Sequence, residues 1–197
     1  PIRFVAFAMV PIFIVMINSL YVKDKDEYGK FSNIYTGLLY IAVPIALSNL
    51  IAFDKAGNFS GNLLLCFFII IWCSDVGAFA FGISLGKIFP QKLFPSVSPK
   101  KTWIGFIGGL VSSVLAAFAL YEFGILKFPL IHCLILSFIM SVTGVYGDLF
   151  ESQWKRVYGV KDSGKIIPGH GGFLDRFDST LMAMPFGAIY LAIFDLL

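Results

Sequence analysis

Asp148, Ser152 and Lys155 stand at i, i+4 and i+7 in the segment GDLFESQWKR, which puts an acid, a hydroxyl and an ammonium on one helix face. Glu151 is placed one turn before Lys155 and can pair with it. A helix end that only had to suit its own dipole would want Lys155 and Arg156 but not Asp148 just inside an apolar segment. Asp148 is therefore a candidate ligand for a hard cation, which prefers oxygen donors. The chain then runs through VYGVKDSGKIIPGHGGFLDRFDS. Gly164, Gly169, Gly171 and Gly172 let backbone amides approach a ligand. Lys155, Arg156, Lys161, Lys165 and Arg176 bring positive charge, and Asp162, Asp175 and Asp178 bring carboxylates. Amides, cations and carboxylates in one place suit polyphosphate chemistry, in which catalysis is largely positioning and neutralisation of phosphoryl oxygens. His170 has three readings: a phosphate donor, a turn residue held by its backbone, or a general acid. An attacking group that is already an anion needs no base, which favours the first two.

Two upstream stretches belong with this one. Asp75 lies deep in the apolar run IIIWCSDVGAFAFG, where a carboxylate costs about 2.5–3.5 kcal/mol on insertion scales and must face protein or water. In PSVSPKKTWIG, Ser98-Pro99 reads as a turn, and Lys100-Lys101-Thr102 leads into a helix. Lysines beside a helix N-terminus suit an anion, and generic anchoring to anionic headgroups would look the same.

The elements that hold these groups are apolar. Hydrophobic residues are 58% of the 197, charged residues 14%, and the mean hydropathy is +0.84. A soluble domain carries about 25% charged residues, so the composition excludes an ordinary soluble protein. The expected fold is all-α, a polytopic integral membrane protein of about six transmembrane helices forming one domain, residues 1–197. The spans run approximately 2–22, 34–53, 61–83, 103–121, 129–147 and 179–197, each near the ~20 residues a bilayer needs. The first lacks a basic leading region and a small-residue cleavage site, so it is not read as a signal peptide. The chain is expected to begin inside a longer protein whose earlier helices are missing. With that segmentation Lys23, Lys25, Lys30, Lys87, Lys92, Lys100 and Lys101 share one side with the basic residues from Lys155 to Arg176. Arg3, Lys55 and Lys127 fall on the other, and the positive-inside rule puts the crowded side in the cytoplasm. Cys66, Cys73 and Cys133 fall inside spans and read as small packing residues.

The stretch from Asp148 to Ser179 resembles the C-terminal signature of the phosphatidate cytidylyltransferases, or CDP-diacylglycerol synthases. Its elements here are Ser152, Lys155-Arg156, Lys161-Asp162, Pro168-Gly169-His170-Gly171-Gly172, Asp175-Arg176 and Asp178. SDVGAFAFG and SPKKTWIG resemble the family's upstream elements, so the resemblance covers roughly residues 75–179. Ile104 stands where the family usually has an acid, and the ending FDS is of bacterial type. The resemblance implies transfer of the cytidylyl group of CTP to phosphatidate, with release of pyrophosphate. It implies Mg²⁺ held by Asp148 and Asp175, K⁺ beside it, and catalysis by these aspartates with Lys155 and Arg156. Asp75, Lys100, Lys101, Ser152, Lys161, Asp162, His170, Gly171, Gly172, Arg176 and Asp178 would bind substrate. It also implies a homodimer in the bacterial inner membrane, with the site facing the cytoplasm and no nucleic-acid partner. The rival expectation is an ion-coupled transporter with Asp75 and Asp148 as intramembrane ligands, which leaves the glycine-rich basic loop unexplained.

Overall fold

The computed structural model describes residues 14–18, 25–53, 57–166 and 171–197. The expected first span lies mostly outside them. Helix α1 (Lys25–Gly37) continues through a π-helical turn, Leu38–Ala42, into α2 (Val43–Ala52). The widened turn falls immediately before Pro44, which has no N–H to give the Tyr40 carbonyl and would crowd it in a regular helix. Then come α3 (Gly61–Leu85), a hairpin of β1 (Lys92–Phe94) and β2 (Ser98–Thr102), α4 (Trp103–Glu122), α5 (Leu130–Val157) and α6 (Leu174–Ile193).

The protein is all-α and polytopic, with the small hairpin added. Four helical stretches are long and apolar enough to cross a bilayer: Phe31–Ala52, Gly61–Leu85, Trp103–Glu122 and Leu130–Val157. Helix α6 covers the sixth expected span but opens with Asp175, Arg176 and Asp178. The expected turn at Ser98-Pro99 is instead the start of an antiparallel strand, in which Phe94 pairs with Ser98 and Lys92 with Thr102. Thr102 ends the strand and caps α4, its hydroxyl accepting from the Gly105 N–H at 3.2 Å.

Small residues set the spacing. Helix α3 packs most extensively on α4, and α5 on α6. A Cβ on Gly77 would collide with Ser112, and one on Gly108 with Phe81, the close approach by which membrane helices gain van der Waals contact. The Ser74 and Ser141 hydroxyls, 2.7 Å apart, tie α3 to α5. Phe67, Ile70, Leu136, Met140 and Leu191 fill the core. Trp72, Leu115, Ile131 and Phe138 point outward, a surface suited to lipid. Cys66, Cys73 and Cys133 are free thiols.

Candidate active site

Helix α5 does not stop where its apolar run ends at Gly147. It continues to Val157 because DLFESQWKR supplies its own i, i+4 partners: Ser152 Oγ donates to Asp148 Oδ1 at 3.2 Å, and Lys155 Nζ to Glu151 Oε2 at 2.6 Å. The extension ends at Gly159, whose φ of +66° is open to glycine.

This end of α5, the N-terminal end of α6, the C-terminal half of α3, the β1–β2 hairpin and the start of α4 surround a pocket of about 470 Å³. Asp75, Asp148, Asp175 and Asp178 line it together with Lys100 and Lys101. Lys101 Nζ lies 2.6 Å from Asp148 Oδ2. Asp75 is exposed to the pocket rather than to lipid, its Oδ1 3.5 Å from the Ser179 hydroxyl. Asp178 Oδ1 accepts from the Ser179 N–H at 2.7 Å. A second pocket, of about 450 Å³, lies against the opposite face of α6 among Ile41, Ile45, Phe68 and Met184, with no ionisable side chain in its lining. Of these two pockets, the first carries the ionisable side chains.

Among the described residues Asp175 is the most heavily bonded acid. Lys155 donates to Oδ1 at 2.7 Å, while Oδ2 accepts from the Ser163 N–H (2.8 Å), the Ser163 hydroxyl (2.9 Å) and the Gly172 N–H (2.7 Å). Burial pushes its carboxyl up, but the Lys155 ammonium and the donors from Gly172 and Ser163 outweigh that and hold it well below the usual carboxylate range. The glycines make the closure possible. Gly171 sits at φ +83°, and a Cβ on Gly172 would collide with the Ser163 hydroxyl. Of the amides expected to meet a ligand, that of Gly172 is taken by Asp175.

Lys155 thus bridges Glu151 and Asp175, whose side chains are 1% and 7% exposed. Glu151 Oε1 has no hydrogen-bond partner. Sequence reading paired Glu151 with Lys155 but gave no hint of the link to Asp175, which is 20 residues away, nor of Ser163. Arg156 turns to the Val160 carbonyl at 3.3 Å at the exposed end of α5. Lys161, Asp162 and Arg176 are exposed and do not line the pocket. His170 lies outside the described residues.

The donor set fits a divalent cation by charge. Lys101 offsets Asp148 and Lys155 is shared by two acids, while Asp75 and Asp178 form no salt bridge among the described residues. An acid-rich pocket would repel anionic phosphates unless a cation entered with them. Among the described residues no three His, Cys, Asp or Glu are gathered closely enough to enclose a metal alone. Mg²⁺ is commonly held by one or two carboxylates plus substrate phosphates and water.

Residues 2–194 match the model of the cytidylyltransferase family. The chain is 41% identical over 182 residues to the phosphatidate cytidylyltransferase of Bacillus subtilis, covering 91% of this chain and 63% of that protein. It is 45% identical over 124 residues to that of Staphylococcus saprophyticus and 46% over 124 residues to that of Staphylococcus aureus strain COL, each covering 63% of this chain and 46% of the relative. The chain spans less than two thirds of the length of these curated relatives. With a match over nearly all its residues, the chain belongs to the cytidylyltransferase family.

Proposed function

We propose that the chain carries the catalytic core of a phosphatidate cytidylyltransferase, transferring the cytidylyl group of CTP to phosphatidate. The observation that carries this reading is the pocket in which Asp75, Asp148, Asp175 and Asp178 face Lys100 and Lys101. The names of the bacterial relatives support it. The transporter alternative draws nothing from the family match.

The lipid phosphate is already an anion, so it attacks the α-phosphorus of CTP without a base. A P–O bond forms to the lipid oxygen, the bond to the bridging oxygen of the β-phosphate breaks, and pyrophosphate leaves with that electron pair. Lys100 and Lys101, beside the N-terminus of α4, hold phosphoryl oxygens by charge-assisted hydrogen bonds. Asp148 is the primary cation ligand, since Ser152 and Lys101 fix its orientation. Asp175 supplies an oxygen to the same site and anchors the glycine loop through Ser163 and Gly172. Lys155, held between Glu151 and Asp175, orients Asp175 rather than meeting the reactants, and Arg156, expected to act beside it, stands at the exposed end of α5 outside the pocket lining. Bound Mg²⁺ would neutralise phosphoryl oxygens as charge develops on them. The site stands at a helix end, where a water-soluble nucleotide and a membrane-held phosphate can meet. The reading includes a cytoplasmic orientation in the inner membrane, K⁺ as a second cation and a homodimer.

The test is direct. Purified protein in phosphatidate-containing nanodiscs with CTP and Mg²⁺ should release pyrophosphate and form CDP-diacylglycerol. Replacing CTP by ATP, or phosphatidate by diacylglycerol, should abolish release. Equal turnover without phosphatidate would refute the acceptor, and equal turnover with ATP the nucleotide.

A further inference from the structure

Tyr40 lies far from the signature in sequence, in an apolar span, yet its side chain is 7% exposed and ends between two of the site's acids. Its hydroxyl donates to the Gly147 carbonyl at 3.1 Å and to the Asp178 carbonyl at 3.0 Å, sharing one proton between them. Gly147 immediately precedes Asp148. The hydroxyl therefore ties the backbone entering one acid of the pocket to the backbone of another, across the line where α5 meets α6. The two helices touch there, since a Cβ on Gly147 would collide with the Asp178 carbonyl oxygen. Carbonyls already used within helices can accept a second hydrogen bond, so the link does not unravel either helix.

The local fold holds Tyr40 in place. It sits in the π-helical turn Leu38–Ala42 ahead of Pro44, and such turns occur frequently at functional sites. Its ring packs on Phe150 at 4.9 Å between centroids and edge-on to Trp154 at 6.4 Å. Both rings belong to the part of α5 that carries Asp148 and Lys155.

We infer that Tyr40 is a positioning residue for the cation site, its hydroxyl fixing Asp148 on α5 relative to the first turn of α6, which carries Asp175 and Asp178, by bridging the Gly147 and Asp178 carbonyls. The inference rests on the cation site of the proposed function and deepens it. Asp148 and Asp175 approach the pocket from different helices, and their spacing is set by the crossing that Tyr40 spans. Loosening that crossing would leave both carboxylates present but misplaced, weakening cation binding more than nucleotide binding.

The experiment compares the parent protein with Tyr40→Phe, which keeps the ring contacts and loses the hydroxyl. Two readouts are taken: the Mg²⁺ concentration giving half-maximal thermal stabilisation in nanodiscs, and the kcat and KM for CTP. Loss of a group that orients metal ligands weakens affinity or activity by about 10–100-fold. Tyr40→Phe should thus raise the Mg²⁺ midpoint by about tenfold or more and lower kcat, with KM for CTP within about threefold of the parent. Tyr190→Phe removes another tyrosine hydroxyl of the bundle, one lying 2.8 Å from His132 Nδ1, and should leave the Mg²⁺ midpoint unchanged. A lower unfolding temperature with an unchanged Mg²⁺ midpoint and kcat would make Tyr40 a packing residue and overturn the inference. If Tyr40→Phe does not fold, Gly147→Ala takes its place: it forces the same crossing apart and should raise the Mg²⁺ midpoint likewise, and an unchanged midpoint there would overturn the inference. A parent that binds no Mg²⁺ would overturn both the inference and the cation site, whereas CTP turnover failing with Mg²⁺ stabilisation intact would count against the proposed reaction alone.

Discussion

Replacing Lys155 by Met removes the ammonium that lies 2.6 Å from Glu151 Oε2 and 2.7 Å from Asp175 Oδ1. Those acids are 1% and 7% exposed, so neither recovers its hydration when the cation goes. Met retains most of the volume of the lysine stem, and the loss is one of charge pairing rather than of packing. Deleting one partner of a buried ion pair costs about 3–5 kcal/mol, because the remaining charge is stranded. The cost is unevenly shared. Asp175 keeps its donors from Ser163 and Gly172. Glu151 keeps nothing, since Oε1 is already without a partner. Making that side chain neutral should therefore relieve the defect, and Lys155→Met/Glu151→Gln should recover about 1–3 kcal/mol, the coupling expected within one network. Reversible unfolding in mixed micelles measures Lys155→Met, Glu151→Gln and the double variant. Lys155→Met within about 0.5 kcal/mol of the parent, the range of an ordinary surface substitution, would refute the reasoning, as would strict additivity in the double variant.

Asp175→Asn tests the loop anchor through pH. The folded-state carboxyl is held below its usual range, so its contribution is present above the unfolded pKa of about 3.9 and is lost as pH falls through the folded value. The stability gap between parent and variant should narrow from about pH 6 to about pH 3, and a constant gap would contradict the assignment. Lys101→Met removes a partner of Asp148 at a site where both side chains are partly exposed, 23% and 31%. Unfolding free energy should move by less than about 1 kcal/mol, while KM for CTP rises by about tenfold, the worth of one hydrogen bond to a charged group. Gly77→Leu should destabilise the α3–α4 contact by about 1–3 kcal/mol or more, because even a Cβ there collides with Ser112; an unchanged unfolding midpoint would show that the helices separate more easily than the packing implies.

Hydropathy made the spans legible, since a bilayer demands long apolar helices whatever their tertiary contacts. The helical face of Asp148 and Ser152 was readable from spacing alone, and the two side chains are hydrogen-bonded. Less visible was that α5 keeps going, because the same polar residues that end a hydropathy window stabilise another turn as i, i+4 pairs. The β1–β2 hairpin escaped because Pro99 and two lysines suggest a turn, whereas an edge strand tolerates both. Long-range bonds left no local trace. Lys155 to Asp175 and Tyr40 to Asp178 join residues whose spacing carries no periodic signal. Tyr40 in particular reads as another aromatic residue of an apolar span.

Binding of Mn²⁺, followed by electron paramagnetic resonance in nanodiscs with CTP present, reports on the carboxylates directly. The account predicts tight binding to the parent, weakening by about tenfold or more in Asp148→Asn, and no change in Glu122→Gln at the far end of α4. Equal Mn²⁺ affinity in the parent and Asp148→Asn would contradict it.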